Sequence, residues 1–272
     1  MTNLQDKLFI TSDTNVIECG EHTLNIDNIK YTEYKSFKFN YSSLNNVLSD
    51  VINNTNTEKI LKDWYCYFKE NINNELYNTY LQKYTNKTNI DNNFTNSSMD
   101  IIKYFDFDYW IKQKLRLFEF INKHINLQGK NVYDIGSGFG HFPLICKYYG
   151  SNIVVGSNIP YAPNSFHEGE LYENICKSFN LETDYLRVNP NVSLELNMKY
   201  DIVSGLMPRW FHLFSLDEAK FFINDLKKNV LTKDGKIFLE CNTPDKYEYL
   251  EKISQAFTQG SPGSSRFFLI SN

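Results

Sequence analysis

The chain has 272 residues, 42% of them hydrophobic and 22% charged, which suits one large globular domain or one domain with a smaller appendage. A formal net charge of −4 and a pI near 5.8 argue against a broad nucleic-acid surface, which needs a basic stripe; a local basic site stays open. No run approaches the roughly 18–20 apolar residues of a membrane span, the start MTNLQDKLFITSDT has no secretory pattern, and five scattered cysteines fit a reduced, cytoplasmic protein without disulfides or a zinc site.

Residues 1–40 read as strands. LFITSDT, NVIEC, HTLNID and IKYTEYKSFKFN carry β-branched and aromatic residues in rough alternation, with Cys19-Gly20-Glu21 as a turn. From Ser43 the spacing turns helical, through LNNVLSDVI and EKILKDWYCYFKENINNELYNTYLQKY. The asparagine-rich TNKTNIDNNFTNSSMD, Thr85 to Asp100, reads as a surface loop. Residues 1–105 are thus expected to form a mixed α+β appendage, rich in tyrosine and phenylalanine. It would serve either as a wall for the substrate or as a homodimer contact.

Residues 106–272 form the second expected domain. DYWIKQKLRLFEFINKHI is a helix, Asn131 to Ile135 a strand, His141 to Tyr149 a helix, and NIVVGS a second strand. A helix over Glu168 to Phe179 leads to a third strand, TDYLRV, and KYDIVSGL makes a fourth. SLDEAKFFINDLKKNVL is a helix, GKIFLECN a fifth strand, DKYEYLEKISQAF a helix and SRFFLIS a last strand. This alternation with short links predicts an α/β fold: a Rossmann-like parallel sheet with helices on both faces.

The first strand-to-helix link holds the informative stretch, VYDIGSGFGH. In such sheets ligands bind beyond the carboxyl ends of the strands, where the strand order reverses. Gly136, Gly138 and Gly140 fall in that turn. Missing side chains let the backbone curl and let a ligand approach the main chain, with the free N–H groups of the next helix facing it. The spacing is not that of the dinucleotide fingerprint, whose third glycine would fall at His141, and the Gly-Lys-Ser/Thr of a phosphate loop is absent.

The run Asp134-Ile135-Gly136-Ser137-Gly138-Phe139-Gly140 resembles the first motif of class I S-adenosylmethionine-dependent methyltransferases. KYDIVSGL, with Asp201, resembles the fourth strand of that family, and LTKDGKIFLE, with its turn glycine Gly235, resembles the lead-in to the fifth. The resemblance implies S-adenosyl-L-methionine as cofactor and S-adenosyl-L-homocysteine as product. It implies that Gly136, Ser137, Gly138 and Gly140 lie against the methionine part and that Asp134 supports the loop or the cofactor's amino group. Ser157 and Asn158 end the second strand where the family usually grips the ribose with an acid; an amide there holds a diol without charge assistance. Asn189, twelve residues before Asp201, matches a position that reaches the adenine amino group. Upstream, Tyr109 or Trp110 would lid the cofactor and Lys112 or Lys114 pair with its carboxylate; an amphipathic helix with solvated lysines explains the same residues.

Methyl transfer from a sulfonium is a direct displacement, which asks the protein to align the nucleophile and exclude water. The segment SGLMPRWFHLF beyond the fourth strand is where the acceptor is expected. His212 is the candidate base, with a packing histidine as the rival reading, and Arg209 would bind an anionic acceptor or be a solvated loop charge. His141, directly after the glycine loop, sits near the cofactor or simply starts the helix, while Tyr161, His167, Glu168 and Glu170 edge the pocket or belong to a surface helix start. No spacing suggests a metal centre.

The expected function is methylation of an oxygen on a small molecule or carbohydrate. The chain resembles methyltransferases acting on bacterial surface polysaccharides or their precursors, with no nucleic-acid partner. The alternatives are methylation of nitrogen, protein or RNA, and a non-catalytic cofactor-binding module. After the last helix the family sheet commonly has two strands where this chain shows one; either a shortened hairpin or the appendage completes the sheet.

Overall fold

The computed structural model describes residues 16–18, 25–26, 29–30, 38–40, 63, 67, 70–79, 115–158, 168–259 and 265–272. The chain divides into two compact units, residues 1–70 with 78–119, and residues 71–77 with 120–272. In the first, β1 (Val16–Glu18) pairs antiparallel with β4 (Lys38–Asn40), and β2 (Asn25–Ile26) with β3 (Ile29–Lys30). Each lies within an expected strand. LFITSDT, the Cys19–Glu21 turn and the Thr85–Asp100 loop lie outside the described residues.

The second unit is built on a seven-stranded sheet. Its strands are β5 (Asn131–Ile135), β6 (Ile153–Asn158), β7 (Glu182–Tyr185), β8 (Tyr200–Leu206), β9 (Leu231–Cys241), β10 (Ala256–Phe257) and β11 (Arg266–Ser271). Their order across the sheet is β7-β6-β5-β8-β9-β11-β10. Neighbours from β7 to β9 are parallel, while β11 runs antiparallel to both β9 and β10. Strand order reverses at β5, with β6 on one side and β8 on the other. This is the Rossmann-like sheet of the class I methyltransferase fold.

Helices α1 (Leu115–His124), α2 (His141–Tyr148), α3 (Glu168–Ser178), α4 (Arg209–Leu213), α5 (Leu216–Asp225) and α6 (Pro244–Ile253) connect the strands. Both faces are covered, so the central strands read as continuous apolar runs. In β9, Ile237, Leu239 and Cys241 join a core with Phe222 and Ile223 of α5 and Leu250 of α6. Phe238, on the opposite face, stacks on Phe120 of α1 at 5.5 Å and meets Phe142 of α2 at 5.5 Å.

Three expectations are corrected. The helix expected over Ser215 to Leu231 begins with a capping box, the Ser215 N–H donating to Glu218 at 2.7 Å and the Glu218 N–H to Ser215 Oγ at 3.3 Å, but its α part ends at Asp225. Leu226–Val230 is a wider π turn that buries both Leu226 and Val230. The fifth strand begins at Leu231, so that Gly235, expected as a turn, lies inside it, with a register shift against β8 between Tyr200 and Ile202. The last helix ends at Ile253, and Ala256–Phe257, expected to be helical, pair with Leu269 and Phe268 instead. The shortened hairpin therefore completes the sheet.

At the amino end of the sheet, the Asp201 carboxylate accepts the Asn131 N–H at 2.9 Å and the Thr232 hydroxyl at 3.2 Å. Among the described residues, no helix is long and apolar enough to cross a membrane.

Candidate active site

Because β5, β6, β8 and β9 are parallel, Ile135, Asn158, Leu206 and Cys241 end on one rim, and the links that follow share it. The turn after β5 has φ of +75° at Gly136, +54° at Gly138 and +74° at Gly140, the left-handed region that side chains disfavour. The Ser137 N–H donates to the Ser157 carbonyl at 2.8 Å, and the Gly140 N–H to the Ser137 carbonyl at 2.9 Å.

The glycines do different work. A side-chain carbon added at Gly138 would meet no atom of the described residues within 4 Å, so among them this position faces open space. One added at Gly140 would lie 2.5 Å from Leu181 Cδ1 and 3.0 Å from Cys176 Sγ, so that glycine lets α2 start tight against its neighbours. One added at Gly136 would sit at ordinary contact distance from Trp210 Nε1, 3.6 Å, and Pro208 Cβ, 3.9 Å. The segment after β8 therefore borders the turn.

Asp134 is buried, and the Ser204 hydroxyl of β8 donates to its Oδ1 at 2.6 Å. Its carboxylate thus engages the neighbouring strand. The Ser157 hydroxyl, also buried, donates to the Asp134 carbonyl at 3.2 Å and accepts the Gly136 N–H at 3.4 Å. Asn158 holds the turn more fully. Its Oδ1 accepts the Gly138 N–H at 2.8 Å, and its Nδ2 donates to the Gly138 carbonyl at 3.2 Å. The side-chain amide reads both polar groups of one residue, as a neighbouring strand would. A carboxylate could accept but not donate, so an amide matches the task seen here. The Cys176 thiol adds a weak bond to the same carbonyl at 3.7 Å, and burial, with the Asp134 charge, pushes its pKa up to about 12, keeping the proton in place.

Across the rim, β8 leads to α4. Burial lowers the pKa of His212, and the Lys246 charge lowers it further, against a smaller opposing pull from Glu240. The imidazole is therefore predominantly neutral at pH 7 and able to accept a proton. Its Nε2 is buried without a hydrogen-bond partner, as is Oγ1 of Thr243. Trp210 packs on Phe214 and Phe222, which fixes the helix carrying His212.

The remaining sequence candidates are spread out. Asn189 is exposed in the link after β7, four residues beyond Tyr185. His141 opens α2, its ring stacked on Phe139 at 5.8 Å. Arg209 is the first residue of α4, while its side chain lies outside the described part, as do those of Glu168 and Glu170 in α3. Tyr109, Trp110, Lys112, Lys114, Tyr161 and His167 lie outside the described residues. The structure adds Ser204, Lys246, Thr243 and Gly156, none of which the sequence reading singled out. A side-chain carbon at Gly156 would fall 2.6 Å from Ser137 Oγ, so Gly156 makes room for the turn. A lone glycine inside an apolar strand is the usual mark of such an approach. Lys246 has no comparable signal, being one lysine among many.

No family model matches the chain, and no curated protein matches it. Solved structures do. The PH0226 protein from Pyrococcus horikoshii OT3 aligns at 15% identity and a TM-score of 0.45, over 60% of this chain and 91% of its own. The ribosomal protein L11 methylase from Lactobacillus delbrueckii subsp. bulgaricus aligns at 15% and 0.42, over 59% and 79%. The Thermus thermophilus 16S rRNA N2 G1207 methyltransferase aligns at 22% and 0.42, over 58% and 42%. Likenesses of this size carry no argument about activity. On its own strand order and glycine turn, the chain has the fold of the class I methyltransferases.

Proposed function

We propose that the protein is an S-adenosylmethionine-dependent methyltransferase. The observation that carries this is the open space over Gly138 among the described residues, at the point where strand order reverses, in a turn bordered at Gly136 by Pro208 and Trp210 of the segment that carries His212. S-adenosylmethionine bound there supplies a methyl group on a sulfonium that needs no further activation. The backbone at Gly138 offers an uncovered surface for it, and Asn158 and Ser157 hold the turn in shape. Asp134 and Asn189 are proposed as further cofactor contacts on the resemblance. His212 takes the proton of a hydroxyl as it is methylated, which favours oxygen on a small molecule or a sugar precursor as the acceptor.

Calorimetry with S-adenosylmethionine and S-adenosylhomocysteine tests the cofactor, and absence of binding by both removes the enzyme reading. A panel of hydroxyl, amine, protein and RNA acceptors with labelled methyl donor tests the rest. Transfer confined to an amine, a protein or RNA overturns the oxygen assignment, and cofactor binding with no transfer to any of them leaves a binding module.

A further inference from the structure

Lys246 is buried to 1% exposure in the first turn of α6. Among the described residues its one ion pair is with the adjacent Asp245 at 3.2 Å, whose side chain is 60% exposed. An ammonium has three N–H donors, burial of a charge is costly unless it is paired, and the start of a helix disfavours a cation. Thr243 is the N-cap of that helix, yet its hydroxyl makes no capping bond and is buried with no partner. His212 Nε2 is in the same condition. Native structures rarely leave such groups unmatched, and those that remain call for a missing water, ion or ligand.

The segments that carry these groups leave the rim side by side. β8 and β9 are paired to Leu206 and Glu240, and the Met207 N–H donates to the Glu240 carbonyl at 2.8 Å, so the links that follow start together. Below them Phe211 and Leu250 share one apolar core. The nearby Glu240 carboxylate accepts from Ser265 at 2.6 Å and is bonded to none of the three. Apart from the largely exposed Asp245 carboxylate, no negatively charged group among the described residues is hydrogen-bonded to this cluster.

We propose that Lys246 and Thr243, beside His212, hold an oxyanion, a carboxylate or phosphate group on the hydroxylated molecule that is methylated. The identity of that molecule as methyl acceptor rests on the methyltransferase reading; the anion site does not. Lys246 supplies charge and Thr243 a hydroxyl donor, while the free Nε2 of His212 is left to meet the neighbouring hydroxyl. The bound anion also offsets the Lys246 charge and makes His212 a stronger base when substrate is present.

The test follows the His212 imidazole by NMR, assigned with His212→Ala, while inorganic phosphate or acetate is titrated into the full chain without S-adenosylmethionine. Saturable shifts and a rise in the His212 pKa with at least one anion are expected. Thr243→Val should weaken that anion by roughly tenfold, and Lys246→Met should abolish the response. No saturable response in the wild-type protein overturns the proposal whatever the variants do, and an unchanged response in Lys246→Met identifies an adventitious ion only. If Lys246→Met fails to fold, the wild-type and Thr243→Val titrations decide. Anion binding with no binding of S-adenosylhomocysteine sinks the methyltransferase reading and leaves the site standing.

Discussion

Replacing Asn158 with aspartate should weaken cofactor binding at neutral pH, against the expectation that an acid at this position tightens it. The side chain is 8% exposed and meets the Gly138 N–H at 2.8 Å and the Gly138 carbonyl at 3.2 Å. A carboxylate keeps the first bond and sets an unprotonated oxygen against the second. Leaving a buried polar group unsatisfied costs about 1–3 kcal/mol, or roughly 5- to 150-fold in an equilibrium constant. If the turn must hold its left-handed shape to bind, S-adenosylhomocysteine affinity falls by that factor. The pH dependence makes the test sharp. A carboxyl group facing a carbonyl oxygen is favoured in its protonated form, so its pKa lies above the ordinary aspartate value of about 3.9. Below that raised pKa it regains a donor, and the variant's affinity should climb back toward wild type as pH falls. A carboxylate gripping ribose hydroxyls would act in reverse, binding tighter than asparagine at pH 7 and losing affinity on acidification. Calorimetry from pH 5 to 8 separates the two, and the second pattern refutes the clamp. Asn158→Ala should also speed exchange of the Gly138 amide proton in the free protein, a readout that needs no ligand.

Gly138→Leu should fold with a penalty of roughly 1–2 kcal/mol for its left-handed backbone and lose S-adenosylhomocysteine binding in calorimetry, since the side chain enters the open space. Gly140→Ala should instead destabilise by about 1–3 kcal/mol through collision with Leu181, seen as a lower Tm, and Leu181→Ala in the same chain should restore part of the loss. His212→Ala should lower kcat by roughly 10²–10⁴-fold with little change in cofactor affinity. In the wild-type enzyme kcat/KM should rise with pH through an apparent pKa below 6.5, because the histidine's pKa is lowered and its neutral form acts as the base. Ser204→Ala takes a 2.6 Å bond from buried Asp134 and should cost about 1–3 kcal/mol in denaturant unfolding.

The turn was legible because backbone chemistry is local. β5 runs from Asn131 to Ile135 as the apolar pattern predicts, and all three glycines behind it have positive φ. Ala256–Phe257 was not legible, since two residues carry no period and their pairing is set by β11, ten residues further on. The π turn was equally hidden, because its apolar residues also satisfy helical spacing. At the site, sequence located Asn158 at the rim but not where its amide points. That depends on the distance to a loop twenty residues earlier in the chain. The grouping of His212, Thr243 and Lys246 depends on which strands are neighbours, and spacing along the chain says nothing of it.

Asp201 ties β5 to the start of β9 at the end of the sheet remote from the glycine turn. A stitch there fixes the alignment of three strands with no help from the opposite edge. Links at that edge can then change length and composition, through insertion or exchange, without the ladder slipping beneath them. For an engineer seeking a new substrate, the residues after Leu206 and Cys241 are the ones to diversify, and the foot of the sheet is the part to leave alone.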